Sequence, residues 1–187
     1  HSIPNVIQGN VISEPFHKDK DYNLKKFDYI VANPPFKLDF SDYRNNLDTK
    51  ENKDRFFAGI PNIPPKEKES MAIYILFIQH IIFSMKKKGK AAIVVPTGFL
   101  TAKSLAKKIR EKIIDEKMLT GVINMPSNIF ANTGTNVSIM FLDKNKTSDV
   151  IFIDGSNLGD KLDYDGIQRT VLSEKDEKLI FNCFNNK

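Results

Sequence analysis

Cysteine is nearly missing from this 187-residue chain: Cys183 stands alone. That excludes an internal disulfide and a cysteine-rich zinc site, and it fits a reducing cytoplasm. The nine glycines never fall in a Gly-x-Gly pair, so the glycine-rich strand-to-helix turn that cradles a nucleoside cofactor is not here. The longest apolar stretch, residues 71–85, is too short to span a bilayer and carries Gln79 and His80. Neither a signal peptide nor a helix-turn-helix or zinc-finger pattern can be read. His17 has no partner at metal-ligand spacing. The chain starts at His1 rather than methionine, which suits a fragment, a processed product or a trimmed form. What is present describes a soluble α/β domain with a real core: 41% hydrophobic residues and a mean hydropathy of −0.33. Net charge is +5 with pI near 9.1, compatible with a nucleic-acid surface and too mild to establish one.

The chain is organised around residues 27–36, Phe-Asp-Tyr-Ile-Val-Ala-Asn-Pro-Pro-Phe. Its β-branched and aromatic run reads as a strand buried on both faces, as in parallel sheets. Pro34 and Pro35 then end it, because neither has an N–H and both fix φ, and Pro34 drives Asn33 out of the helical region. The product is a stiff elbow at the carboxyl end of a strand, where open α/β sheets bind ligands. It offers the Asn33 amide, the Pro34 carbonyl and the Phe36 ring. Two acceptors aimed at the hydrogens of an exocyclic nucleobase amine favour its change from planar to tetrahedral, which attack on a methyl donor requires. Phe36 could stack on a base that has left its duplex. Flipping costs a few kcal/mol and stacking returns about 1–3 kcal/mol per base, so a second aromatic is wanted. On the residues alone, a strand with a Pro-rich turn and a surface Phe is an equal reading.

Further along, residues 5–10 read as a short strand and a turn. Residues 14–26 read as solvated loop. Residues 37–70 are long, polar and proline-broken, either a flap over a ligand or a disordered segment; Lys37, Arg44, Lys50, Lys53 and Arg55 could meet phosphates. Residues 71–86 predict a buried helix with Ser70 as N-cap, His80 as a satisfied rim residue, and Gly89 as an αL cap behind three lysines. Residues 91–95 are a strand. Residues 101–117 form an amphipathic helix with Leu105, Ile109, Ile113 and Ile114 inward. Residues 119–125 are a third parallel strand, and residues 137–142 return antiparallel because no helix intervenes. Residues 150–154 add a strand. Ser173-Glu174-Lys175-Asp176 starts a last helix, with Leu179, Ile180 and Cys183 on one side. The division expected is 1–148 for a partial catalytic domain and 149–187 for an extension.

Asn33-Pro34-Pro35-Phe36, Asp54-Arg55-Phe56-Phe57-Ala58-Gly59-Ile60-Pro61, Phe77-Ile78-Gln79-His80, Gly89-Lys90-Ala91-Ala92-Ile93-Val94-Val95-Pro96 and the stretch from Asn128 to Val137 stand in one order. In that order the chain resembles the N6-adenine DNA methyltransferases, and among them the modification subunits of type I restriction systems. The resemblance implies the second half of a Rossmann-like methyltransferase fold, mainly parallel with a closing antiparallel strand. It also implies methyl transfer from S-adenosyl-L-methionine to an adenine extruded from double-stranded DNA. By the same resemblance Phe130 is the second aromatic against that adenine, a loop Phe packed in the core being the plainer alternative. Gly9, Asn10, Ala32 and Asn33 would border the cofactor; Asn10 stands where the family usually has an acid, and an Asx turn without a ligand is an equal reading. The rest of the cofactor site, the missing N-terminal part of the same methyltransferase, a specificity subunit and a restriction subunit would lie outside this chain. Methyl transfer to RNA or to a protein glutamine, or a non-catalytic docking remnant, are the rival readings.

Overall fold

The computed structural model describes residues 6–130, 134–145, 149–164 and 166–185. Asn5, Ala131-Asn132-Thr133 of the last motif and residue 148 at the expected boundary lie outside the described residues. Strands β1 (Phe27–Ala32), β2 (Met85–Pro96), β3 (Leu119–Asn124), β4 (Val137–Asp143) and β5 (Ile151–Asp154) form one sheet in the order β1-β2-β4-β3-β5. β1 and β2 pair parallel, as do β3 and β5, while β4 runs antiparallel to both neighbours. This is the α/β, Rossmann-like arrangement expected, but β1 is not the strand buried on both faces that its sequence suggests: it stands at the edge of the sheet with Tyr29 and Val31 exposed. The crossover through helix α3 (Leu105–Asp115) sets β3 one slot away from β2. The helix-free return drops β4 into that slot, so the antiparallel strand closes the sheet from within rather than at its rim.

Helix α2 (Tyr74–Ser84) and α3 cover one face. Ile75, Ile78 and Ile82 of α2 and Ile109 and Ile113 of α3 pack on Ile93, Val95 and Leu142 of the strands. Burying each such side chain stabilises the fold by about 1.5–3 kcal/mol. Ile114, expected inward, is 55% exposed, and Ala106 takes the buried position instead. α2 starts later than expected: Ile73 holds its N-cap position without a side-chain cap, and Ser70 ends a 3₁₀ turn, Lys68–Ser70. Packing of Met71, Ile73 and Leu76 into a second apolar cluster fixes that start. Gly89 is no αL cap either. The helix ends at Ser84, and the three lysines begin β2. Gly89 lies beside the register shift between Phe27 and Tyr29, where a Cβ would meet Phe27 O and Lys86 N at 2.9 Å. The cations at the end of α2 come from elsewhere in the chain. Lys26 Nζ donates to Phe83 O and Lys144 Nζ to Met85 O.

Residues 37–70 are a built segment rather than a disordered loop. Helix α1 (Ser41–Leu47) lies in it, and Phe40, Leu47, Phe56 and Ile60 are buried with Ile12 and Leu76. Gln79, fully buried on the mostly apolar α2, ties the segment down: Ala58 N–H donates to Oε1 at 2.7 Å, and Nε2 donates to Gly59 O at 2.9 Å. Arg55 is 3% exposed and Arg44 is bound to Asp48, Ile60 O and Pro61 O. Arg55 is therefore withdrawn as a phosphate contact, and Arg44 is engaged internally. Residues 6–10 form no strand; Val6 is exposed and a turn follows at Asn10.

After β5 comes a hairpin absent from the sequence reading, β6 (Asp160–Tyr164) with β7 (Ile167–Val171). Helix α4 (Glu174–Asn185) follows, opened by the expected box. Ser173 N–H donates to Asp176 Oδ2 at 2.9 Å, and Asp176 N–H donates to Ser173 Oγ at 3.2 Å. Its inward residues are Ile180 and Phe184; Leu179 and Cys183 are exposed. The Phe184 ring lies 4.9 Å from that of Phe141 and covers Gly121, where a Cβ would come within 2.5 Å of it. Gly121→Ala is expected to destabilise the fold by about 1–3 kcal/mol through overpacking, read from the urea midpoint.

Candidate active site

Three chain segments leave the sheet at its carboxyl edge: the elbow after β1, the 3₁₀ turn Thr97–Leu100 after β2, and the connection from β3 to β4. They enclose a cavity of about 880 Å³. Asn33, Pro34, Pro35 and Phe36 line one side, Phe130, Gly134 and Thr135 another, and Tyr74, Phe99 and Ala102 the floor. Pro34 is buried and anchors the elbow, while Asn33 is exposed at the cavity. Phe36 and Phe130 are half-buried and share one apolar cluster with Ile129. Loop closure is explicit: Thr97 N–H donates to Asn136 O at 2.8 Å, and the Thr97 and Ser138 hydroxyls bond at 2.9 Å.

Sequence reasoning missed the floor. The Tyr74 ring meets Phe36 edge-on at 6.4 Å and Phe99 edge-on at 6.1 Å, so Phe36 rests on an aromatic column. Burial pushes the Tyr74 phenol upward, opposed by the nearby Arg110 cation. Arg110 also donates to Ala102 O at 2.7 Å, pinning the turn that carries Phe99. The available signal was positional: Tyr74 is the one polar-tipped aromatic at the head of an apolar helix, and Phe99 follows a strand-ending proline.

The residues read as bordering a cofactor are divided: Asn33 lines this first cavity, and Gly9 and Asn10 lie away from it. Gly9 and Asn10 line a second hollow, of about 440 Å³, with Pro35, Leu38, Ile73 and Phe77. Asn10 Oδ1 accepts from Ile12 N–H at 3.0 Å and Ser13 N–H at 3.2 Å, an Asx turn that engages both lone pairs. Pro35 borders both hollows; Ala32 ends β1 beside them and is half-buried. No group of three or more metal-ligating side chains occurs among the described residues, and none of their helices is long and apolar enough to cross a membrane.

The family described as N-6 DNA Methylase matches residues 1–187. The chain belongs to that family. Among its relatives, the type I restriction enzyme MpnII methylase subunit of Mycoplasma pneumoniae is 32% identical over 170 residues, 88% of this chain and 29% of that protein. The MjaIX methylase subunit of Methanocaldococcus jannaschii is 32% identical over 180 residues, 92% of this chain and 30% of that protein. A solved type I restriction-modification methyltransferase subunit from Streptococcus thermophilus superposes with a TM-score of 0.74 at 25% identity, covering 94% of this chain and 34% of that one. This member of the methylase family thus spans about a third of the length of the proteins it matches.

Proposed function

We propose that the chain is the target-base part of a type I DNA adenine methylase subunit, which methylates N6 of an adenine swung out of double-stranded DNA. What supports the reading most is the meeting of Asn33, Pro34, Phe36 and Phe130 around one cavity at the carboxyl edge of the sheet. The adenine ring lies between Phe36 and Phe130, and the two aromatics together offset the extrusion that one barely balances. Asn33 Oδ1 and the Pro34 carbonyl accept the two amine hydrogens. They draw the nitrogen toward tetrahedral and stabilise the positive charge that grows on it as its lone pair forms the new N–C bond. The surplus proton then leaves to solvent through the open side of the cavity. Lys37, also at the cavity, can meet a phosphate of the displaced nucleotide.

S-adenosyl-L-methionine supplies an electrophilic methyl group when bound. The second hollow fits its edge: Leu38, Ile73 and Phe77 offer apolar walls, Gly9 and Pro35 shape the rim, and the Asn10 amide nitrogen remains to donate. Ala32 and Asn33 border it through the backbone of the elbow. The greater part of that pocket belongs to upstream sequence of the whole subunit, whose strands would pair with β1, where Tyr29 and Val31 are exposed. A specificity subunit chooses the DNA sequence, and a restriction subunit completes the system, in the cytoplasm. The test is methyl incorporation by the full-length subunit with its specificity partner, offered duplex DNA, RNA and protein. Label in DNA as N6-methyladenine is expected; label in RNA or in glutamine, with DNA blank, overturns the reading.

A further inference from the structure

Hairpin β6–β7 stands outside the five-stranded sheet, yet it reaches the Phe130 connection through Thr170, by both backbone and side chain. Thr170, 5% exposed, donates its N–H to Asn128 O at 3.0 Å and its hydroxyl to Ser127 O at 2.7 Å. Asn128 is left-handed, at φ 58°, so the chain turns sharply two residues before Phe130 and needs an external hold on that turn. The approach is tight. Gly159, at φ 83°, has no side chain where a Cβ would lie 2.8 Å from Thr170 Cγ2. Behind the hairpin, Leu172 and Ile180 join the apolar cluster that contains Phe36, Ile129 and Phe130. The other end of the connection is tied separately, at Thr97 and Asn136.

We propose that Thr170 is a positioning residue for base capture, holding the turn at Ser127 and Asn128 so that Phe130 stands ready at the cavity. This rests on the reading of Phe130 as a stacking residue. Fixing one free backbone residue consumes about as much free energy as stacking one base returns. A connection that had to order itself on each encounter would therefore gain little from its aromatic. With the cost met in folding, the stacking energy goes to the extruded base.

The experiment uses the full-length subunit with its specificity partner, on duplex DNA with 2-aminopurine at the target adenine. Thr170→Val keeps the branched shape and loses the hydroxyl. It is expected to lower flipped-base fluorescence, and kcat/KM for DNA, by roughly three- to tenfold, the effect of one buried hydrogen bond. Cofactor affinity stays unchanged. Thr170→Ser, which keeps the hydroxyl, restores both signals. Gly159→Ala, pressing on Thr170 from the far side, gives the same dimming, so the result does not hang on one variant. Wild-type fluorescence in Thr170→Val, with Phe130→Ala dimmed, overturns the proposal and leaves the stacking role of Phe130 intact. A silent Phe130→Ala overturns both. Thr170→Ser as weak as Thr170→Val assigns the effect to packing and likewise overturns it.

Discussion

Replacing Asn33 by alanine in the full-length subunit is expected to cripple methyl transfer while cofactor binding and stability persist. Asn33 is exposed, and the elbow is held by its neighbour, the buried Pro34, and by the two fixed proline φ angles. Little packing is lost with the side chain, so the unfolding free energy should move by no more than about 0.5 kcal/mol. On the function proposed above, the chemistry loses one of two preorganised acceptors. Removing a single preorganised hydrogen-bonding group from a site of this kind lowers kcat by about 10²–10³. Asn33→Gln is nearly as severe, because its extra methylene moves the oxygen by about the 1 Å that costs a hundredfold in rate. Single-turnover transfer with saturating cofactor measures both variants. Transfer near the wild-type rate in Asn33→Ala takes that residue out of its role.

The elbow was legible because its signals are local: a β-branched run, two prolines and their effect on the preceding residue act over a few positions. The five strands of the main sheet were legible for the same reason, down to the antiparallel sense of β4. The burial of β1 on both faces and a strand before Asn10 were misread, because no described strand pairs with the outer edge of β1 or with residues 6–10. What failed was whatever depends on distant partners. Ser70 has the right chemistry for an N-cap, but Met71, Ile73 and Leu76 decide where α2 starts by packing with Phe40 and Phe56. Gly89 follows three lysines as a C-cap should, yet its small size answers a close approach by Phe27. The floor of the cavity was invisible in sequence because Tyr74 and Phe99 meet only when α2 is laid on β2. Hairpin β6–β7 escaped because Asp160–Tyr164 alternates weakly and carries three charged residues.

Lowering the pH from neutral is expected to destabilise the protein through one imidazole. Arg55 Nε–H donates to His80 Nδ1 at 2.9 Å, its Nη2 donates to Val11 O at 2.8 Å, and the guanidinium lies 4.6 Å from the Phe56 ring. A guanidinium only donates, so Nδ1 is the acceptor and neutral His80 carries its proton on Nε2. Protonating it would set N–H against N–H beside a buried cation. Burial, then the charges of Arg55 and Lys26, push the His80 pKa down to about 3 from 6.5. Arg55, lowered by burial to about 10, keeps its charge throughout. Between 6.5 and 3 the unfolded chain holds a proton that the native one does not. The contribution is therefore complete above 6.5 and is lost as pH falls through that window, at about 1.4 kcal/mol per pH unit. Urea midpoints at about pH 7, 6 and 5 should fall steeply for the wild type and far less for His80→Gln, whose amide oxygen can still accept from Arg55. The depressed carboxyls of Asp39, Glu51, Asp154 and Asp176 act only near and below 4.5 and are common to both proteins. Parallel curves would remove His80 as the sensor.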